Sequence, residues 1–303
     1  MITIETILCP VDFFPASEKA ADYAAHLARI YGASVHLLHV ITPPGTIASE
    51  YPVDTEAIIK SLEDVASHDM KSLVRRLGPT GLSVTSELQT GDVFETIKQH
   101  ISWRRPDLVV MGTHGRTGIS RWFLGSVTES LIRISPAPLL TISPHQTNNS
   151  PAFRRILVTI DFSSATADAL DYAYSIARQN DSEITLLHVV DDTTAALSIK
   201  YEDSLIQGVR NQLEDLIPQA VRNRCKISTR VEEGLPHRVI VRALQQVKPD
   251  LLVMNIHAKG MLDRALHGST AERVVRVASC PVMLVPRIKV NATMRARSSS
   301  KAA

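Results

Sequence analysis

Cysteine is scarce in this chain: there are three in 303 residues, Cys9, Cys225 and Cys280, and no C-x-x-C pair. Three thiols cannot all pair within one chain, which argues against a disulfide framework or a cysteine zinc site. Cys9 and Cys280 lie in apolar runs and read as small buried hydrophobes. Excess charge is missing too. Lys plus Arg is 33 and Asp plus Glu is 31, a formal charge of +2. That is no footprint of a nucleic-acid binder, which carries a basic face or stripe, so nucleic acid is not an expected partner. A small anionic ligand needs only local charge and stays open. No apolar run approaches the roughly 20 residues of a spanning helix, so no membrane association is expected. The opening residues MITIETILCPVDFF lack a positive n-region, a long apolar stretch and a small-residue cleavage site, so a signal peptide is not expected. The expected location is cytoplasmic.

What is present is a repeat. ILCPVDFFPAS from Ile7 answers ILVTIDFSSAT from Ile156, pairing Asp12 with Asp161. Asp22-Tyr23-Ala24 matches Asp171-Tyr172-Ala173, and Leu37-Leu38-His39-Val40 matches Leu186-Leu187-His188-Val189. Gly91 matches Gly234, Pro106-Asp107-Leu108 matches Pro249-Asp250-Leu251, and Gly125-Ser126 matches Gly268-Ser269. Between Val40 and Gly91 the offset falls from 149 to 143, so the second copy is six residues shorter there. The polar, proline-flanked stretch Ser143–Pro151 reads as a linker. The expected domains are therefore 1–145 and 152–288, followed by a polar, basic tail, 289–303, expected to be disordered.

Each copy alternates strand and helix. In the first, TILCP ends in proline like a buried strand. A helix is predicted over Ser17–Tyr31, with Ser17 as N-cap and Gly32 as the C-terminal stop. VHLLHV, VTSELQ, DLVVM and PLLTI read as further strands. Helices are predicted over Thr55–Leu77, Val93–Trp103 and Ser126–Ile134. The alternation implies an α/β fold: two tandem, doubly wound, five-stranded parallel-sheet domains, Rossmann-like. Ligands of such sheets bind beyond the carboxyl ends of the strands, where strand order reverses.

One loop carries chemistry. Met111-Gly112-Thr113-His114-Gly115-Arg116 leaves a strand end, and Gly118 and Gly125-Ser126 follow before the next helix. Glycine lets backbone N–H groups approach a phosphate. The helix N-terminus adds unpaired N–H groups and a positive dipole end. Arg116 and Arg121 add local charge. A simple glycine-rich turn is the competing reading. Neither G-x4-G-K-[ST] nor G-x-G-x-x-G is present. His39 and His188 read as strand histidines with satisfied hydrogen bonds, since no second ligand has metal spacing.

Gly112, Gly115, Gly125 and Ser126 fit G-x2-G-x9-G-[ST]. With Asp12, the L-L-H-V strand and P-D-L-V-V-M-G-T-H-G-R, the chain resembles the universal stress protein family over about residues 4–143 and 154–286. The resemblance implies an adenine nucleotide alpha-hydrolase-like fold, and ATP as ligand, with ADP, AMP and accompanying Mg2+ left open. It implies that Asp12 meets the ribose or adenine and that Pro10 and Val11 line the adenine slot. The backbone at Val40 would read the base. Gly112 and Gly115 would cradle the phosphates, Gly125, Ser126 and Val127 would close the far side, and Met111, His114 and Arg116 are counted with the nucleotide-binding residues. In the second copy Asp161, Val189, Gly268 and Ser269 answer these positions, but Asn255 and Ala258 replace the first two glycines.

The expected function is an ATP-binding regulatory module of the stress response rather than an efficient enzyme. Two alternatives stay open: a slow ATP hydrolase or nucleotidyl-transfer enzyme, and a nucleotide-free structural dimer. The apolar last strands, PAPLLTI and CPVMLVP, suggest that the copies pair edge to edge as an internal pseudo-dimer. The resemblance leaves a homodimer of whole chains open as well.

Overall fold

The computed structural model describes residues 2–43, 55–78, 81–113, 124–144, 152–191, 202–256 and 270–287. The chain divides into two compact units, Ile4–Gln146 and the remainder, which also takes in the first three residues.

The first unit contains strands β1 (Thr6–Pro10), β2 (Ser34–Ile41), β3 (Val84–Thr90), β4 (Leu108–Gly112) and β5 (Leu139–Ile142). Its helices are α1 (Pro15–Tyr31), α2 (Thr55–Leu77), α3 (Val93–Arg104) and α4 (Ser126–Ile134). The strands run in the order β3-β2-β1-β4-β5, and all neighbours are parallel. Strand order therefore reverses between β1 and β4, which places a crevice at their carboxyl ends. Leu108, Val109 and Val110 are fully buried, as a strand covered on both faces requires.

Helix α1 covers the sheet with small residues. Ala20, Ala21, Ala24, Leu27 and Ala28 are all essentially inaccessible. It stops at Gly32, whose φ of 68° is left-handed and whose N–H donates to the Ala28 carbonyl. Its start departs from the sequence expectation. The helix begins at Pro15 with Phe14 as N-cap, and no side chain caps it there. Ser17 lies inside the first turn instead. Proline suits that turn because its missing N–H would have had no helical partner.

The second unit repeats the plan with β6 (Arg155–Ile160), α5 (Thr166–Asn180), β7 (Glu183–Val190), α6 (Glu202–Asp215), α7 (Gln219–Arg222), β8 (Ile227–Glu233), α8 (Pro236–Val247), β9 (Leu251–Ile256), α9 (Thr270–Val277) and β10 (Val282–Pro286). Its order is β8-β7-β6-β9-β10, again parallel. The six-residue shortening falls where the 23-residue α2 gives way to α6 and the four-residue α7.

The repeated Pro-Asp-Leu segments are structural. The Oδ2 atom of Asp107 accepts from the backbone N–H groups of Glu5 and Thr6, both at 2.9 Å. Asp250 accepts likewise from Arg154 and Arg155, at 3.1 and 3.0 Å. Each carboxylate ties the start of one central strand to the other. The three cysteines are free and buried. Burial pushes the Cys280 thiol up to about 12, so it is inert. The linker core and the tail lie outside the described residues.

Candidate nucleotide site

The described residues define the base of the glycine loop. Strand β4 ends at Gly112, and Thr113 is buried, donating from its N–H to the Ile142 carbonyl at 2.9 Å. The chain returns at Leu124, and the Gly125 N–H donates to the Thr113 carbonyl at 2.8 Å. The loop is thus closed across its own neck. Thr128 then donates its hydroxyl to the Gly112 carbonyl at 3.1 Å, tying α4 to the strand end. Gly125 is the N-cap of α4, and no side chain caps the helix. Its first-turn amides are therefore available to an anion at the crevice. Ser126 is exposed and Val127 half-buried beside it. His114, Gly115 and Arg116 lie outside the described residues.

Two of these glycines have close-packing reasons. A Cβ on Gly112 would lie 2.9 Å from backbone atoms of Ala16 and Ser17, so the strand end and the first turn of α1 touch backbone to backbone. A Cβ on Gly125 would lie 3.1 Å from the Thr113 carbonyl oxygen.

Across the crevice, Asp12 follows β1. Its Oδ1 accepts from the Ser17 hydroxyl at 2.5 Å and from the Phe14 N–H at 3.1 Å. Asp12 therefore organises the turn into α1. Oδ2 has no hydrogen-bond partner among the described residues. Phe13 takes a left-handed φ of 63°, a conformation costing a residue with a Cβ about 1–2 kcal/mol. Its ring lies 4.5 Å from that of His39, whose Nδ1–H donates to the Val11 carbonyl at 2.7 Å. His39 is thus satisfied by the backbone, as its strand position suggested. Pro10, Val11 and Met111 are buried, while Val40 is half-buried on β2 opposite Gln89.

The second unit copies the turn but sets a side chain against it. Phe162 repeats the left-handed backbone at φ 54°, and His188 Nδ1–H donates to the Ile160 carbonyl at 2.7 Å. Asn255 stands where the first unit has Gly112. Its Nδ2 donates to Asp161 Oδ1 at 2.7 Å and to Ser163 Oγ at 2.9 Å. Helix α5 starts at Thr166, the counterpart of Ser17, two residues later than α1 starts. Burial raises the Asp161 carboxyl, but donors from Ser163, Asn255 and Thr166 outweigh it and hold the group below its ordinary value. Val189 is half-buried opposite Glu232. Gly268 and Ser269 lie outside the described residues.

The profile of the Universal stress protein family matches residues 3–143 and again 152–286. The chain belongs to the universal stress protein family. A universal stress protein of Mycolicibacterium smegmatis is 27% identical over 289 residues, covering 92% of this chain and 96% of the relative. One from Methanocaldococcus jannaschii is 32% identical over 149 residues, 47% of this chain and 87% of its own. Among solved structures, a universal stress protein from Archaeoglobus fulgidus superposes with a TM-score of 0.72 at 21% identity, covering 93% of this chain and 98% of that one. Full-length matches of this kind fit a tandem universal stress protein in which both halves share the fold.

In this universal stress protein the structure gathers Asp12, Gly112, Gly125 and Ser126 at the strand ends, and sets beside them Phe13 and Thr113, which the sequence did not single out. Phe13 was hidden because a left-handed phenylalanine has no sequence signature. Thr113 was hidden because its importance lies in where its backbone carbonyl points.

Proposed function

We propose that the first unit binds ATP at the carboxyl ends of β1 and β4, and that the protein is a nucleotide-responsive regulatory module of the stress response. The observation that carries this reading is the closed neck of the glycine loop, which delivers the uncapped N-terminus of α4 to the crevice. Such a terminus favours an anion by its N–H groups and its dipole. The residues fit the role: Gly125 and Ser126 on the phosphate side, Val40 and Asp12 on the nucleoside side. Gly115, His114 and Arg116 belong to the same loop by sequence. Efficient phosphoryl transfer needs metal ligands and a base held in place. Asp12 already serves the turn into α1, so binding is favoured over turnover.

Titration calorimetry of the full chain with ATP tests the reading. Binding should occur, and Gly115→Ala should weaken it about tenfold through the roughly 1–2 kcal/mol cost of a Cβ in a positive-φ turn or at the phosphate. Unchanged affinity in a folded variant would remove the loop from the site.

We also propose, on the apolar sequence of the two last strands alone, that they cover each other's edges as an internal pseudo-dimer.

A further inference from the structure

We infer that His36, Glu87 and His100 form a second site in the first unit, one that binds a divalent transition-metal ion of the zinc type. The three residues come from three elements. His36 is on β2, Glu87 on β3 and His100 on the buried side of α3. His36 Nε2 lies 3.3 Å from Glu87 Oε2, and His100 Nε2 lies 3.4 Å from Glu87 Oε1. One ligand atom from each lies within 4.8 Å of the others. Two donors on a tetrahedral zinc, each about 2.05 Å from the metal, sit about 3.3 Å apart. The two His–Glu87 spacings already have that value, each to its own carboxylate oxygen, and the set as a whole lies within 4.8 Å.

The outer bonds of the two rings also suit a metal. His100 Nδ1 lies 2.9 Å from the Thr96 carbonyl. A carbonyl only accepts, so the ring proton is on Nδ1 and Nε2 carries a lone pair in the neutral ring. His36 Nδ1 pairs with Thr85 Oγ1 at 2.9 Å. Metal-binding histidines are held in this way through their other nitrogen. Both Nε2 atoms are buried and make no hydrogen bond in the structure. In the neutral ring of His100 that lone pair faces a carboxylate oxygen, acceptor against acceptor, which a proton or a metal cation between them resolves. Two imidazoles and one carboxylate suit zinc and its neighbours better than magnesium or calcium.

A cleft of about 340 Å³ lies beside the site, lined by His36, Thr85, Trp103 and Arg104. Glu87 also accepts from Arg104 at 2.7 Å and from Gln89 at 2.5 Å. A carboxylate has about four lone-pair sites, so these bonds leave room for the metal. The Arg104 charge opposes a cation nearby, which makes it a tuning residue. The second unit lacks the set: Thr185, Arg230 and Ala243 occupy the matching positions of β7, β8 and α8. Its own fold shows that threonine and alanine are tolerated there.

Calorimetry of the tag-free full chain with zinc chloride tests the site, alongside the visible absorption of bound Co2+. One ion per chain should bind. His36→Thr with His100→Ala should weaken binding at least about 100-fold, taking about tenfold for each lost ligand. Arg104→Met should tighten it several-fold, and His68→Ala, at an exposed position on α2, should leave it unchanged. Circular dichroism confirms that each variant is folded, and if the double variant is not, His36→Thr alone carries the comparison. Absence of stoichiometric Zn2+ or Co2+ binding, or binding that survives loss of both histidines, overturns the inference.

Discussion

At one described position, Gly112 against Asn255, the two crevices differ in kind. Gly112 lets the first turn of α1 rest directly on the end of β4, and its Cβ would meet backbone at 2.9 Å. Backbone cannot yield as a side-chain tip can. Gly112→Ala should therefore destabilise the protein by about 1–3 kcal/mol, the usual cost of overpacking. Urea unfolding reads this directly, and an unchanged midpoint would show that the turn moves freely. Asn255 takes the opposite solution and bonds to Asp161. The carboxyl of Asp161 is lowered in the folded state, so it stabilises the fold above its unfolded value of about 3.9 and loses that contribution as pH falls through the folded value. The stability difference between the protein and Asp161→Ala should be full at neutral pH and shrink below about pH 4. A difference that stays constant through the acid range would mean that Asp161 acts without its charge.

At the scale of elements, the alternation of strand and helix was legible because periodicity and punctuation agree. Gly32 stops α1, and Asp92 caps α3 by accepting from the Glu95 N–H at 2.9 Å. The start of α1 was misread because Ser17 looks like a cap while Pro15 is the better first-turn residue. The metal-type triad was invisible for a different reason. His36, Glu87 and His100 meet only through sheet register and the packing of α3, so no spacing along the chain announces them. Strand β5 offers a test of the proposed edge pairing. Val109 and Thr113 donate to the carbonyls of Pro138 and Ile142, so by alternation the amides of Leu139 and Thr141 point away from β4. If that edge is covered by a strand, their hydrogen exchange should be as slow as that of Leu140. Rapid exchange at both would rule the pairing out.

For the whole molecule, the repeat makes one half a control for the other. Both units share strand order, the left-handed phenylalanine and the histidine beneath it, so these features belong to the fold and not to one ligand. What differs is how the strand end meets the turn: Gly112 rests against the backbone of Ala16 and Ser17, whereas Asn255 donates its side chain to Asp161 and Ser163. The sequence displayed the substitution but not its consequence, because the direction of an asparagine side chain depends on the turn opposite. A nucleotide entering the second unit at that point would have to displace two hydrogen bonds, each worth about 0.5–1.5 kcal/mol. Together they are enough to lower affinity by roughly tenfold or more, since 1.4 kcal/mol is a factor of ten. The full chain should therefore take up one ATP with a stoichiometry near one, and any second event should be at least about tenfold weaker. Gly115→Ala should weaken the tight event alone, while Asn255→Gly should strengthen only the weak one. Two equal sites, or a tight site indifferent to Gly115→Ala, would place the nucleotide elsewhere and return the glycine loop to a structural role.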